Sequence, residues 1–264
     1  MDMLGERFCA AASHVASLGY TPVYVSLHGS QNYGLAIHTA EYQSDYDFKC
    51  IVLPSLWDLA EGKKPASLTV DMQDGQMDIK DIRVFMDSVV KMNPSYLESL
   101  ATDHAWMFGH QAEMERIRGL VPELLKQRGT AFARVCEGLF EEKERRMCHL
   151  SPSVKEKIER FGYDGKQAHH MYRLLVMLRG FEESGEMRLC APENERALLT
   201  DLKLNRYGLE DVQDKIVQWK REIQALRMSI ERRYGEPKDE TAREMIHLSR
   251  AMIVAHCRRD KHEV

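Results

Sequence analysis

The sequence lacks closely spaced cysteines, long apolar runs and an excess of basic charge. Its six cysteines are scattered without a Cys-x-x-Cys pair, so we expect most of them to be reduced thiols in the core, and no zinc site. No apolar run approaches the roughly 20 residues that a membrane-spanning helix needs. The first residues also lack the basic and apolar regions of a secretory signal. We therefore expect a cytoplasmic protein with no membrane partner.

The balance of charges is mildly acidic. The net charge at pH 7 is −4 over 264 residues, which argues against a DNA duplex as partner because nonspecific duplex binding relies on a strongly basic face. The hydrophobic share of 44% and the charged share of 30% are ordinary for a globular protein. The chain is long enough for one large domain or two modest ones.

A Gly-Ser turn follows the first β-rich run of the chain. Residues 23–27 are rich in β-branched and aromatic side chains and lead up to Gly29 and Ser30. Without a Cβ at Gly29, the backbone can approach a phosphate closely, with amide N–H groups and the Ser30 hydroxyl as donors. The turn is therefore predicted to hold the triphosphate of a nucleotide.

Two carboxylates follow at alternate positions, Asp45 and Asp47. Successive side chains of a strand point to opposite faces, so these acids are predicted to share one face while Tyr46 and Phe48 take the packed face. Two adjacent carboxylates repel each other and need a counter-charge. A divalent cation such as Mg2+ supplies it, and this arrangement is typical of metal-dependent nucleotidyl transfer.

A third carboxylate is expected from the hairpin that follows. An Asp-Gly dipeptide separates the strand-like runs 67–72 and 76–80, and Asp78 has apolar neighbours on both sides. We expect Asp78 to share the face of the first two acids and to complete a site for two cations. Asp81 is a nearby alternative, but it is better placed to cap the next helix.

Strand signals nearly vanish after the first third of the chain. The pattern predicts an α+β fold, with an α+β domain over residues 1–118. An all-helical domain is predicted over residues 119–264. Its helices are expected at about 132–140, from about 151, and at 163–185, 193–205, 209–234 and 239–258.

The predicted helix 163–185 carries a basic stripe. Lys166, His170 and Arg173 are spaced i, i+4 and i+7, which places them on one helical face. Such a stripe can reach a triphosphate or a nucleic-acid backbone, and an arginine can grip two phosphate oxygens at once. A solvated basic stripe without a ligand is the alternative. The neighbouring His169 is predicted at the surface or in packing.

Several motifs along the chain form a recognisable series. They are Gly29-Ser30 with Tyr33-Gly34, Ser44-Asp45-x-Asp47, Asp78-Ile79-x-Asp81-Ile82-Arg83-x-Phe85, Asn93-Pro94-x-x-Leu97-Glu98 and Tyr163-Asp164-x-Lys166-x-Ala168-x-His170-x-x-Arg173-Leu174. This series resembles the predicted nucleotidyltransferases of the polymerase-β superfamily that are named for RNA-repair pathways, over almost the whole chain. One departure is an expected insertion at residues 37–43, between the Gly-Ser turn and the two acids.

The resemblance implies a polymerase-β-like nucleotidyltransferase domain, built as a small mixed sheet with flanking helices, that transfers a nucleoside monophosphate from an NTP. It also implies that the helical domain closes over the nucleotide site. ATP is the expected donor, and Mg2+ or Mn2+ the expected cofactor. The residues that the resemblance assigns to the metal and to catalysis are Asp45, Asp47 and Asp78. The residues that it assigns to the nucleotide are Gly29, Ser30, Lys166, His170 and Arg173.

The sequence thus predicts a template-independent nucleotidyltransferase that works by two-metal in-line attack on an NTP. An RNA 3′ end is the expected acceptor. A protein hydroxyl, as in AMPylation, and a small molecule fit the chemistry equally well, and the acidic net charge disfavours a long nucleic-acid footprint. The alternatives from other classes are a non-catalytic nucleotide-binding or antitoxin-like module and a helical scaffold.

Overall fold

The computed structural model describes residues 3–40 and 42–260. Within these residues, five strands form one sheet. The strands are β1 (Thr21–His28), β2 (Asp47–Leu53), β3 (Ser67–Met72), β4 (Gly75–Asp81) and β5 (Ala105–Met107). The helices of the same part of the chain are α1 (Met3–Ser17), α2 (Leu56–Ala60), α3 (Ile82–Val90), α4 (Pro94–Ala101), α5 (Gln111–Gly119), α6 (Val121–Met147), α7 (Lys155–Phe161), α8 (Gly165–Ser184), α9 (Glu193–Lys203), α10 (Leu209–Tyr234) and α11 (Glu240–Asp260).

The sheet is mixed, with the strand order β3-β4-β2-β1-β5. β2 and β4 run parallel, whereas the other neighbouring strands are antiparallel. The predicted α+β class with a small mixed sheet is confirmed. β5 was not predicted because it is only three residues long and has no alternating pattern of its own.

One face of the sheet is apolar and packs against α1. Alternate residues of β1, β2 and β4 point to this face, as the period of two in a strand requires. The buried residues of this cluster are Phe8, Ala11, Ala12, Val15, Val25, Leu27, Phe48, Cys50, Val52, Met77 and Ile79. The opposite face therefore carries the intervening residues, many of which are polar, and α3 and α4 contact the strands there.

The described chain divides into two compact units. The first contains the residues up to Leu124 together with those from Lys238 onward, and the second contains Leu125–Pro237. The prediction placed the boundary near residue 118 and assigned the last helix to the second domain. α11 instead groups with the first unit because it contacts α3, α5 and β2, and such long-range packing does not follow from chain order.

The second unit is built of helices, with α8 in contact with α9 and α10. Phe181 of α8 packs edge-to-face against Phe132 with ring centroids 5.1 Å apart, and it stacks on Tyr234 at 5.2 Å. The helix predicted near 132–140 is the middle of the longer α6, whose backbone departs from helical geometry at Arg128.

Two smaller differences concern loops. The helix expected from about residue 151 begins at Lys155. In the expected insertion at residues 37–43, His38 and Gln43 form an isolated antiparallel bridge, while Glu41 lies outside the described residues. Among the described residues, no helix combines the length and the apolarity needed to cross a membrane.

Candidate functional site

The Gly-Ser turn begins directly where β1 ends. Gly29 has φ +74° and opens a single 3-10 turn over Gly29–Gln31, which the N–H of Asn32 closes by donating to the Gly29 carbonyl at 3.0 Å. A Cβ on Gly29 would lie 3.0 Å from Oδ2 of Asp47. Glycine is therefore required both by the left-handed φ and by the close approach of this carboxylate.

Asp47 is the first residue of β2 and pairs with His28 across the antiparallel ladder. Its Oδ1 accepts a hydrogen bond from the backbone N–H of Gln76 at 3.2 Å, which ties it to the start of β4. Asp45 precedes β2 and is exposed. The pattern predicted both acids within one strand, whereas the structure places only Asp47 in the strand.

The residues between and after the two acids pack as the alternation predicts. Phe48 is buried in the apolar cluster, and Tyr46 is partly buried against it. The N–H of Tyr46 donates to the carbonyl of Asp74 at 2.7 Å. A Cβ on Gly75 would lie only 2.3 Å from the Tyr46 carbonyl oxygen, so the Asp-Gly turn needs its glycine where it touches this segment.

Asp78 occupies a different row of the sheet. In the parallel pair of β2 and β4, Asp78 lies opposite Lys49. Its Oδ2 is 3.2 Å from the Lys49 ammonium, and its Oδ1 is 2.9 Å from the ammonium of Lys80. Among the described residues, no group of three His, Cys, Asp or Glu side chains is placed to hold a metal ion. The assignment of Asp78 as a third metal ligand stays a prediction.

Lys49 is a buried cation that the sequence analysis did not single out. Its side chain is 4% exposed, it donates to Ser95 Oγ at 3.1 Å, and its ammonium lies 4.3 Å from the centre of the Tyr96 ring. Burial lowers the pKa of Lys49, and the Asp78 carboxylate opposes that shift. A sequence signal for this residue did exist, because a lysine inside an apolar strand run must be paired when it is buried.

A second set of polar side chains meets Lys49 at Ser95. Nε2 of His28 lies 3.5 Å from Ser95 Oγ, and Nδ1 lies 3.2 Å from the Tyr33 hydroxyl. That hydroxyl donates to the fully buried carboxylate of Glu98 at 2.8 Å. Because the tyrosine proton is directed at Glu98, the phenol oxygen is left to accept from Nδ1–H of His28, and Nε2 to accept from Ser95.

We call these six residues the Lys49 network. It runs from β4 through β2 and α4 to β1, continues into the loop after the Gly-Ser turn and returns to α4. Its members are Asp78, Lys49, Ser95, His28, Tyr33 and Glu98. The neighbouring acid Asp81, the alternative third carboxylate, accepts from the N–H of Arg83 at 2.8 Å. Its predicted role as the N-cap of α3 is confirmed.

The basic stripe lies on α8 in the second unit. Asp164 caps this helix by accepting from the N–H of Lys166 at 3.1 Å. Lys166 is exposed, whereas His170 and Arg173 are half-buried. Burial lowers the pKa of His170 well below its usual value, and the positive charges of Arg173 and Lys166 act in the same direction. At neutral pH the stripe therefore presents a neutral imidazole among fixed cations.

His169 points away from the stripe into the core of the second unit. It is 5% exposed, and its Nδ1 is 2.9 Å from the carbonyl oxygen of Leu199. Burial lowers its pKa to about 4. Of the two alternatives predicted for this residue, surface and packing, the structure shows packing.

Arg173 also lines a cavity of about 250 Å³ in the second unit. The cavity lies between α8 and the segment that leads into α9, and Arg179 and Arg188 contribute further guanidinium groups. Arg179 is held by Glu222 and Glu195, so its charge is already compensated. Arg173 is therefore the residue that relates the basic stripe to this cavity.

Comparisons with known proteins find matches among solved structures alone. No protein-family model and no curated protein matches the chain. Among solved structures, it is similar to a nucleotidyltransferase-like protein from Exiguobacterium sibiricum 255-15, with 12% identity, 98% of this chain and 92% of that chain covered, and a TM-score of 0.31. A similarity at this level carries no conclusion about activity, so the function is argued from the residues themselves.

Proposed function

We propose that this protein transfers a nucleoside monophosphate from an NTP to an acceptor hydroxyl. The observation that carries the proposal is the close approach of the Asp47 carboxylate to Gly29, at the end of a buried strand, where an added Cβ would lie 3.0 Å from Oδ2. A carboxylate held against a glycine turn joins a cation-binding group to a phosphate-binding group within one site. Nucleotidyl transfer requires this combination, because catalysis of phosphoryl chemistry is mostly positioning and charge stabilisation.

The residues of the first unit divide the work. The amide of Gly29 and the hydroxyl of Ser30 donate hydrogen bonds to the phosphates of the NTP and orient the leaving pyrophosphate. Asp45 and Asp47 offer the oxygen donors that Mg2+ prefers. Bound there, Mg2+ would neutralise phosphate charge and favour the deprotonated acceptor hydroxyl. Asp78 is the third ligand that the sequence predicts, but its two lysine contacts favour a structural role in which it anchors Lys49.

The basic stripe of α8 is proposed to bind phosphate as well. Lys166 supplies an exposed ammonium, and Arg173 supplies a guanidinium that can hold two phosphate oxygens. The lowered pKa of His170 means that this side chain acts as a neutral hydrogen-bond partner and adds no charge.

Incubation with each labelled NTP, Mg2+ and total RNA tests this proposal. The expected result is label in a product, and its loss in the double variant Asp45→Ala with Asp47→Ala. Asp87→Asn is the matched control, because Asp87 is an exposed acid paired with Lys91 on α3. Separating the products into RNA, protein and small molecules identifies the acceptor, with an RNA 3′ end expected. Transfer that survives in the double variant would refute the site.

A non-catalytic nucleotide-binding module is the second candidate. It is favoured by the pairing of both Asp78 oxygens with lysines, since a binder needs phosphate contacts but no complete set of metal ligands. This candidate predicts tight NTP binding in equilibrium dialysis without transfer to RNA, protein or any small acceptor. The same labelling experiment therefore decides between the two.

A further inference from the structure

We propose that Asp78 anchors Lys49 and is not a third metal ligand. Lys49, held in this way, positions the Gly-Ser turn and Asp47. This inference rests on the proposed function and refines its site. The donor set offered to a cation is then Asp45 and Asp47, completed by oxygens of the substrate.

Asp78 is paired with two lysines. Each of its carboxylate oxygens faces a different ammonium, Lys49 at 3.2 Å and Lys80 at 2.9 Å. The Lys49 side chain is 4% exposed and that of Lys80 is 13% exposed. A cation at Asp78 would lie close to both ammonium groups and would compete for the carboxylate that compensates the buried charge of Lys49. Weakening the pairing of a buried charge is strongly unfavourable.

The register of the sheet separates Asp78 from Asp47. Asp78 stands opposite Lys49 in the β2–β4 pair, whereas the acid that closely approaches Gly29 is Asp47, two residues before Lys49 on β2. Two strand residues correspond to about 6.6 Å along the strand. The backbone N–H that reaches Asp47 from β4 belongs to Gln76. The β4 residue beside Asp47 is therefore an amide, and the carboxylate lies one row further on.

The Lys49 network connects Asp78 to the start of the Gly-Ser turn. From Lys49 the hydrogen bonds pass through Ser95 to His28. His28 is the residue immediately before Gly29, and it pairs with Asp47 across the ladder. Anchoring Lys49 therefore fixes α4 and β1 at the point where the turn begins. Through His28 the network reaches the Gly-Ser turn and Asp47, the two groups that the proposed chemistry uses, although Asp78 itself contacts neither.

Mn2+ binding measured by electron paramagnetic resonance, with thermal unfolding on the same samples, tests the inference. The variants of the full chain are Asp47→Asn, Asp78→Asn and Asp78→Asn with Lys49→Met, and Asp87→Asn is the exposed-acid control. We expect Asp47→Asn to weaken Mn2+ binding at least about tenfold, and Asp78→Asn to change it by less than about threefold. We also expect Asp78→Asn to lower the unfolding midpoint, and Lys49→Met to restore at least half of that loss. The double variant removes the buried Lys49 ammonium together with its counter-charge, while Lys80 keeps its hydrogen bond to Ser67 Oγ at 2.8 Å.

A folded Asp78→Asn protein that loses Mn2+ affinity as strongly as Asp47→Asn would overturn the inference. A double variant no more stable than Asp78→Asn would overturn the anchor role. If Asp78→Asn does not fold, the double variant takes its place in the Mn2+ measurement. If Asp47→Asn binds Mn2+ like the unaltered protein, the cation site of the proposed function fails, and the thermal comparison still decides the role of Asp78.

Positioning by Lys49 has its own signature in transfer kinetics. Lys49→Met is expected to lower kcat at least about tenfold while the Mn2+ affinity stays within about threefold of the original. Lys49→Arg keeps the charge and should recover part of kcat. A change confined to KM, or no recovery in Lys49→Arg, would contradict positioning.

Discussion

The carboxylates of the first unit and the basic stripe of the second are assembled in opposite ways. Asp47 reaches Gly29 because an antiparallel ladder sets His28 opposite it, across 19 positions of chain. Lys166, His170 and Arg173 share a face because a helix repeats every 3.6 residues. The acidic region is therefore a product of strand pairing, and the basic region is a product of local geometry.

This difference teaches where each region is vulnerable. The acids depend on backbone pairing that the apolar face of the same sheet stabilises. The stripe depends only on α8 being helical, and buried residues on the other side of α8 hold that helix in place. Changes that destabilise the sheet core should therefore remove the acidic region by unfolding the sheet, whereas single exposed residues of the stripe can be removed with little structural cost.

Asp47→Asn should have the largest effect on activity. We expect nucleotidyl transfer to fall at least about a thousandfold, or about 4 kcal/mol of transition-state stabilisation, since the charge that holds the cation is lost. Asn keeps the size of the side chain, so urea unfolding should change little. Initial rates with labelled NTP measure the effect, and Asp87→Asn serves as the unaffected control. Retained activity would remove Asp47 from the site.

Ile79→Ala should have the largest effect on stability. Ile79 is fully buried in the apolar cluster, next to Asp78 but on the opposite face of β4. Its truncation should cost about 3 to 4 kcal/mol through lost burial and a cavity. Urea denaturation measures this loss, and Mn2+ affinity of the folded protein at low temperature should stay unchanged. A loss of Mn2+ affinity without a loss of stability would contradict the separation of the two faces.

His169→Gln should flatten the dependence of stability on pH. Burial lowers the pKa of His169 from 6.5 to about 4 in the folded protein. The contribution of the neutral His169 to the free energy of unfolding is thus fully present above pH 6.5 and is lost as the pH falls toward 4. That loss amounts to at most about 3 kcal/mol. Urea unfolding at pH 7, 6 and 5 should show a shallower decline in His169→Gln, whose amide can still donate to Leu199. An unchanged slope would refute the assignment.

Lys166→Ala should have the smallest effect. The side chain is exposed, so its loss should weaken NTP binding by about three- to tenfold, roughly 1 kcal/mol, without lowering stability. The difference should shrink at high salt because exposed charges are screened. Calorimetric titration of NTP at low and high salt measures both effects. Lys157→Ala, an exposed lysine on α7, is the control, and equal weakening in both variants would mean a nonspecific effect of charge.

Much of the fold could be predicted from residue patterns. α1, β1, the hairpin of β3 and β4, α8 and α10 lie where periodicity and turn residues indicated. The prediction of Asp81 as a helix cap was right because a cap is a contact between chain neighbours. Two elements escaped the pattern. β5 is too short to alternate, and α11 joined the first unit through contacts with distant segments.

The candidate site was predictable to a lesser degree. Gly29, Asp45 and Asp47 stood out by their types and spacing, and the structure brings the Asp47 carboxylate close to Gly29. Lys49 and Glu98 were missed as partners because a charged residue in an apolar segment does not reveal what it pairs with. Both turned out to be buried members of one hydrogen-bonded network.

Local features of this protein follow from residues that are close along the chain. Backbone geometry over a few residues sets three of them: the left-handed φ of Gly29, the opposite facing of Asp47 and Phe48, and the stripe of α8. The partner of Asp78 depends instead on long-range packing. β2 and β4 are joined by an intervening helix and strand, so their register is set by side chains that fill the apolar face. A shift of two residues would have placed Asp78 beside Asp47, and only the packed sheet determines that it faces Lys49.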